Sequence, residues 1–417
     1  MPETPTHSLP QRPPTAQELG LGRDRGLPPS KHVTLENWQG WPWNRWSYQH
    51  IDELIPCAII GASTDASVGL RDDGPREIDV GFTTTRGRRR RLTTFLRQTC
   101  TDGFLVLHRG RIVMEVYDNG MTPTSRHLLQ SVSKSITGTV AGILADRGLL
   151  DVGRPVSDYV PELASTSFKD ATVRHLLDMT AGTRFSEDYE DPESDIRRYE
   201  SAAGWRPGEP GAHANLLDYA AQLPNHRRHG DVFEYRSILT DLLGVVLERA
   251  GDGRFAQLTS DLLWAPMGAA DPALITLDPG GNPMTDGGIA VTLRDLARFG
   301  LLHARGGEAL GRQVIPPAWI ADTLEANDAC LRACRRSGSD TLERFPDGHY
   351  RNQWWVPISR GHVLLGAGIY GQFLYVDLEA EVVIAKMSTL PFPLDPEVSA
   401  DHCRAFAAIA QALGEGV

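Results

Sequence analysis

Strand-like segments lie in two widely separated parts of this chain, and their separation is the feature that most restricts its fold. Residues 104–117 carry two apolar runs around a turn at Arg109-Gly110, a pattern that predicts a β-hairpin. Three later runs, at residues 363–370, 372–377 and 382–386, have the same character. Between them, residues 150–300 predict mainly short helices and long loops. One sheet must therefore be assembled from both ends of the chain, which predicts an α+β fold with an inserted helical lobe.

This pattern divides the chain into three parts. Residues 1–33 are rich in proline, glycine and charge and are expected to form a poorly ordered leader. Residues 34–150 together with residues 300–417 are expected to form the sheet domain. Residues 151–299 are expected to form the mainly helical domain.

Charge and hydropathy exclude several classes of partner. The 417 residues include 42 Lys and Arg against 53 Asp and Glu, so the chain lacks the basic character that nucleic-acid binding requires. No apolar run is long enough to span a membrane, and the N-terminal residues lack the features of a secretory signal. The five cysteines are scattered and odd in number, which argues against a disulfide framework. We expect a cytoplasmic protein without nucleic-acid or membrane partners, and the sequence contains no metal or cofactor motif.

Ser131 and Lys134 form the motif with the clearest chemical meaning. They begin a segment of helical periodicity that ends near Gly148, and residues three apart share a helix face, so hydroxyl and amine can meet. Only four of the 42 basic residues are lysines, and an arginine could not accept a proton here because guanidinium stays protonated. Burial is expected to lower the pKa of Lys134, which lets it take the proton of Ser131. The spacing alone also arises by chance.

Two further segments could complete a hydrolytic site. Tyr235, in the triplet that ends at Ser237, offers a phenol for proton transfer, although it would equally fit a core tyrosine with a satisfied hydroxyl. The small residues Gly366, Ala367 and Gly368 would let a substrate carbonyl approach a backbone N–H, although they would also fit a closely packed strand.

The order and spacing of these three segments resemble the penicillin-recognising serine hydrolases, the superfamily of the serine β-lactamases, DD-peptidases and related esterases and amidases. From about residue 35 onwards the chain is similar to the family of 6-aminohexanoate-dimer hydrolases, which cut linear nylon-6 oligomers, and to their carboxylesterase relatives. The segments that carry this resemblance are residues 127–135 (HLLQSVSKS), 188–192 (DYEDP), 203–206 (AGWR), 286–288 (DGG), 353–355 (QWW) and 368–372 (GIYGQ). The resemblance implies an antiparallel sheet flanked by helices, as in the β-lactamases and DD-peptidases, and no cofactor.

The resemblance also implies catalytic roles. Ser131 would be the acylated nucleophile, and Lys134 and Tyr235 would share the general acid and base work. The backbone N–H groups of Ser131 and Ile369 would form the oxyanion hole.

Five residues would contact the substrate according to the same resemblance. Tyr189 would close over the substrate and hydrogen-bond the leaving amide nitrogen, and Trp355 would line the acyl side of the pocket. Glu200 would face the substrate's free amino group, although it equally fits an exposed acid on an acidic protein. Asp286 would be a pocket residue or a turn residue, and Ser237 stands where the family more often has asparagine.

The expected function is hydrolysis of linear amides or esters through an acyl-enzyme, most specifically of a 6-aminohexanoate dimer. The alternative is a carboxylesterase without useful amidase activity. Antibiotic or peptide hydrolysis is disfavoured because residues 366–368 lack the cation and hydroxyl of the β-lactamase strand, and the intact Ser131, Lys134 and Tyr235 argue against a non-catalytic scaffold. The resemblance allows a homodimer, with a small molecule as the other partner.

Overall fold

The predicted hairpin lies in the middle of a sheet that joins both ends of the chain. Thr101–His108 pairs antiparallel with Arg111–Tyr117, and Arg109 and Gly110 make the turn between them with positive φ values of 52° and 74°. The other edge of Thr101–His108 pairs antiparallel with Val382–Ser388. The early and late strands therefore share one core, as the sequence predicted.

The structure is a computed structural model that describes residues 9–64, 67–72, 78, 80–208, 214–337 and 345–414. Among these residues the largest sheet has eight strands, in the spatial order His349–Arg351, Trp354–Val356, Val363–Gly368, Gln372–Asp377, Val382–Ser388, Thr101–His108, Arg111–Tyr117 and Arg71–Asp72. Every neighbouring pair is antiparallel except the last. A second, four-stranded sheet has the order Cys57–Ile60, Ala273–Thr276, Ile289–Thr292 and Arg126–Leu128. Two short antiparallel pairs are Gly81–Thr83 with Arg89–Arg91, and Glu308–Ala309 with Arg312–Gln313.

Helices cover both faces of the large sheet. Leu293–Ala304 packs on one face, where a Cβ at Gly300 would lie only 2.5 Å from Val383 Cγ1. On the opposite face, the ring of Phe406 in the C-terminal helix Pro396–Gly414 lies 5.6 Å from that of Phe373. The sheet is therefore buried between two helical layers, which gives the α+β class expected from the sequence.

Along the chain, most of the remaining helices lie between the early and the late strands of the large sheet. The α-helices in the described residues are Ala16–Leu19, Asn44–Ser47, Leu92–Gln98, Ser133–Asp146, Val156–Tyr159, Val173–Leu177, Asp195–Ala202, Leu216–Gln222, Ile238–Gly251, Phe255–Thr259, Leu293–Ala304, Pro317–Glu325, Asp328–Arg335 and Pro396–Gly414. In the described part of the chain, none of them is both long and apolar enough to cross a membrane.

Two of the expected boundaries, the end of the leader and the end of the helical domain, differ from the structure. Part of the leader is ordered, because Thr15 caps the short helix Ala16–Leu19 and the N–H of Ala16 donates to Asn119 Oδ1 at 2.7 Å; residues 1–8 lie outside the described residues. The limit expected at residue 299 falls inside Leu293–Ala304. A local sequence pattern could not show that this helix packs on the sheet.

Candidate active site

Ser131 lies in a strained turn. The 3₁₀ turn Gln130–Val132 comes directly before the helix Ser133–Asp146, so the α-helix begins two residues later than the periodicity indicated. Gln130 has a positive φ of 47°, a conformation that costs about 1 kcal/mol and is common at functional sites. Its side-chain amide donates to the Tyr48 hydroxyl at 2.7 Å. This contact holds the turn that presents Ser131.

Lys134 donates the hydrogen bonds that connect the residues around the nucleophile. Its buried Nζ donates to Ser131 Oγ at 2.8 Å, to Ser237 Oγ at 3.0 Å and to the backbone carbonyl of Asp286 at 3.0 Å. The carboxylate of Asp286 lies 3.8 Å from the same nitrogen. The structure therefore brings together four of the residues that the sequence proposed for the site.

The expected pKa of Lys134 is wrong in direction. Burial lowers the pKa, but nearby acidic groups raise it by more, so the net pKa lies above the ordinary lysine value. These groups belong to Tyr235, Asp286, Glu187 and Asp241. Lys134 is therefore an ammonium in the resting site, and it must release a proton before it can accept one from Ser131.

Tyr235 lies beside this ammonium. Its ring stacks on Trp355 with centroids 5.7 Å apart, and Lys134 Nζ lies 5.1 Å from the centroid of the tyrosine ring. Burial raises the pKa of Tyr235, while Lys134 and a hydrogen bond with Ser131 lower it in part, which leaves it above the ordinary value. A neutral phenol between lysine and serine can donate a proton to a leaving group. The cavity that contains Ser131 is also lined by Tyr235, which is therefore more than a core tyrosine.

Glu187 belongs to the same network, although the sequence reasoning missed it. Its carboxylate accepts from Ser237 Oγ at 2.6 Å, from the Ser237 N–H at 2.6 Å and from the Tyr189 hydroxyl at 2.8 Å. A continuous hydrogen-bonded chain thus runs from Ser131 through Lys134 and Ser237 to Glu187. Burial raises the pKa of Glu187, and this effect exceeds the lowering by Lys134. The only available signal was its place two residues before Tyr189, because a loop residue has no periodicity.

We expect Glu187→Gln to lower kcat/KM for p-nitrophenyl acetate roughly 10- to 100-fold, the effect of one lost charged hydrogen bond. Because Glu187 raises the pKa of Lys134, its removal should also move the rising limb of the pH profile to lower pH. The matched control is Glu190→Gln, at an exposed position of the same loop. A profile that keeps its wild-type midpoint would contradict this coupling.

The predicted oxyanion hole has the close backbone approach that it requires. A Cβ at Gly368 would lie 2.9 Å from Leu129 O and 3.0 Å from Ser131 N, so only glycine lets the strand end reach the nucleophile turn. Ile369 follows directly and lines the cavity with Ser131. This geometry supports the N–H groups of Ser131 and Ile369 as donors to an oxyanion.

Glu200 is buried among basic side chains, beside a small hollow that it lines together with Ser131. It is only 5% exposed, so it is not a surface acid. Its carboxylate accepts from Gln39 at 2.9 Å, Arg197 at 2.8 Å and Arg206 at 2.6 Å. Arg197 Nε also donates to the backbone carbonyl of Tyr189 at 3.1 Å. Glu200 therefore holds the arginine that supports the Tyr189 loop, and two guanidinium groups compensate its charge.

Of the five proposed substrate-binding residues, Tyr189 and Trp355 line one large, mainly apolar cavity, whereas Glu200 and Asp286 line a separate small hollow. The large cavity has a volume of about 720 Å³, and Ser131 lies in its wall together with Tyr189, Tyr235, Trp355 and Ile369. Such a volume is typical of a pocket for a small organic molecule. No group of histidine, cysteine or acidic side chains among the described residues could hold a metal ion.

Several known proteins are similar to this chain in sequence and in fold. The model of the β-lactamase family matches residues 91–409. The chain is 36% identical to the 6-aminohexanoate-dimer hydrolase of Paenarthrobacter ureafaciens over 362 residues, which are 86% of this chain and 89% of that protein. The structure of a Bacillus anthracis protein that is provisionally assigned as a 6-aminohexanoate-dimer hydrolase superimposes with a TM-score of 0.84 at 26% identity. The match covers 93% of this chain and 99% of that one. A family VIII carboxylesterase structure, at 19% identity and a TM-score of 0.52 over 72% of this chain and 91% of that one, shares the fold. These matches confirm the fold class and the resemblance found in the sequence.

Proposed function

Because this chain belongs to the β-lactamase family of serine hydrolases, we propose that it cleaves linear amides and esters through an acyl-enzyme on Ser131, with a 6-aminohexanoate dimer as its amide substrate. The observation that carries the proposal is the 2.8 Å contact between Lys134 Nζ and Ser131 Oγ in the wall of an open cavity. The identity to the Paenarthrobacter enzyme supports the choice of amide. The family resemblance allows a homodimer, and we propose a cytoplasmic location, as expected from the sequence.

The proposed acylation follows the hydrogen bonds of the resting site. Lys134 gives a proton to Ser237 Oγ while Ser237 passes its own proton to Glu187, which leaves a neutral amine beside Ser131. The amine takes the Ser131 proton as Oγ attacks the carbonyl carbon, and the oxyanion is stabilised by two backbone N–H groups. Tyr235 then protonates the departing nitrogen or oxygen and recovers a proton from Lys134.

The proposed deacylation uses the same groups in reverse. A water molecule enters the space left by the departed group, and the neutral amine of Lys134 accepts its proton as the water oxygen attacks the ester carbonyl. Collapse of the second tetrahedral intermediate returns a proton to Ser131 Oγ and releases the acid. No charge needs to leave the buried network in either half of the reaction.

A second candidate function is that of a carboxylesterase, and the surroundings of Glu200 favour it. The acid expected to bind the substrate's ammonium is already paired with Arg197 and Arg206. An ester without an amino group needs no such partner. The alkoxide of an ester also leaves more readily than an amine, so hydrolysis depends less on protonation by Tyr235.

A substrate panel tests both candidates. We expect wild-type protein to hydrolyse p-nitrophenyl acetate and the linear 6-aminohexanoate dimer but not nitrocefin, and Ser131→Ala to lose at least about a thousandfold in each activity. Hydrolysis of the ester alone would support the carboxylesterase. Absence of all hydrolysis, with no covalent adduct of a fluorophosphonate probe and an unchanged circular dichroism spectrum, would refute both.

A further inference from the structure

The cavity beside Ser131 extends well beyond the catalytic residues. It continues between the outer face of the strand Val363–Gly368 and the C-terminal helix Pro396–Gly414, where Cys403 and Ala407 line it. Both residues lie on one helix face, since they are four apart. We call this extension the helix groove.

The walls of the helix groove are apolar. Leu365 lies opposite Tyr375 and Ala367 lies opposite Phe373 in the antiparallel register, so these four side chains form one patch on the sheet face. Ala367 lines the cavity together with Ser131, and its small side chain leaves the passage between them open. The patch provides contacts for hydrocarbon and offers no charge to bind.

Apolar side chains also stand exposed on the rim of the groove. Ile358 is 66% exposed and Leu394 is 42% exposed, and both belong to the cavity lining. Charged groups lie at the outer positions: Arg404 is exposed on the helix, and His362 faces Glu379 at 3.0 Å. A bound hydrocarbon chain would cover the exposed apolar surface without burying either charge.

A second hollow beside Ser131 is too small for a substrate chain. It measures about 20 Å³ and is lined by Tyr199, Glu200 and Asp286, which is enough space for one water molecule. The acyl group stays attached to Ser131 through acylation and deacylation. Its chain therefore needs the larger space.

We propose that the helix groove is the acyl-chain subsite and that this enzyme prefers esters and amides of unbranched, medium-chain acids over acetyl compounds. The inference rests on the proposed function of Ser131 and specifies its substrate class. The contacts that carry it are the Leu365–Tyr375 and Ala367–Phe373 pairs facing Cys403 across a cavity continuous with the nucleophile.

The test is a series of p-nitrophenyl esters from acetate to octanoate. Burial of each methylene should raise kcat/KM about two- to fourfold, since the groove is partly open. Cys403→Phe and Ala407→Phe fill the groove and should lower the octanoate-to-acetate ratio at least tenfold. The matched control is Ala412→Phe, which lies on an exposed face of the same helix and should keep the wild-type ratio.

The outcomes separate this inference from the proposed function. If Ser131 reacts with a fluorophosphonate and acetate is hydrolysed, a flat chain-length series or an unchanged ratio in both filled variants overturns the subsite alone. If no ester is hydrolysed, the proposed function fails instead. In that case, binding of octanamide to Ser131→Ala still tests the groove. Octanamide should raise the Tm of this variant, whereas acetamide should not. Adding Cys403→Phe should remove the increase.

Discussion

Replacing Lys134 by arginine is expected to lower kcat/KM for p-nitrophenyl acetate by roughly a thousandfold or more, the upper part of the range for loss of a general acid–base group. Lys134 is only 1% exposed, and its ammonium serves three acceptors at 2.8 to 3.0 Å. Guanidinium keeps the positive charge but does not release a proton at neutral pH. The substitution therefore separates the charge of Lys134 from its ability to transfer a proton.

The control for this prediction is Lys169→Arg, at an exposed position far from Ser131 in sequence. It should retain wild-type kinetics. Circular dichroism and thermal unfolding should show that Lys134→Arg is folded, and the rate of fluorophosphonate labelling should fall together with kcat/KM. Activity within tenfold of wild type would mean that Lys134 acts only through its charge.

The second large effect is expected from Lys386, which takes no part in the proposed reaction. It is fully buried in the strand Val382–Ser388, where its Nζ donates to Ser388 Oγ and reaches the Gly371 carbonyl at 3.5 Å. Burial lowers the pKa of Lys386 to about 7, although Cys100 and Asp102 act in the opposite direction. Such a lysine destabilises the folded state at any pH at which the unfolded chain binds the lysine's proton more tightly than the folded protein does.

The sign and the pH range follow from linkage. Between about pH 7 and pH 10.5 the unfolded state binds more protons at this residue than the folded state, so stability increases with pH across that range. Lys386→Met removes this dependence. The variant should exceed wild type in free energy of unfolding by up to roughly 4 kcal/mol at pH 7, and the excess should shrink by roughly 2 kcal/mol by pH 9.

Urea unfolding of wild type and variant at pH 7, 8 and 9 measures this difference directly. Other titrating groups contribute to the free energy of unfolding of both proteins, so the difference between the two free energies isolates the contribution of Lys386. Lys169→Met, at an exposed position, should leave the wild-type pH dependence unchanged. A difference between Lys386→Met and wild type that stays constant from pH 7 to pH 9 would disprove the linkage.

Local patterns predicted those features that depend on residues close together in the chain. The turn at Arg109-Gly110 formed as predicted because alternating apolar runs and a left-handed turn need only neighbouring residues. Ser131 and Lys134 meet for the same reason, since three positions on a helical segment place both side chains on one face. Tyr235 was a candidate from its own sequence context, but only the resemblance placed it and Ile369 in the same site as Ser131 and Lys134.

Features that depend on surrounding charge could not be predicted in this way. The pKa of Lys134 was expected to fall on burial, yet Tyr235 and three carboxylates from distant segments raise it. Glu200 was expected to face either a substrate amino group or solvent, yet Arg197 and Arg206 both donate to its Oε2. A sequence shows which charges exist, whereas their distances decide their effects.

Two of the four lysines of the chain show which properties the sequence determines and which the tertiary structure decides. The sequence by itself determined that Lys134 stands three residues after a serine on a helical segment and that no arginine could replace its chemistry. Only the tertiary structure decided that Lys134 is held as an ammonium while burial favours the neutral form of Lys386. The physical reason is that acidic groups from several segments surround Lys134 and outweigh its desolvation, whereas desolvation outweighs the nearby acids at Lys386.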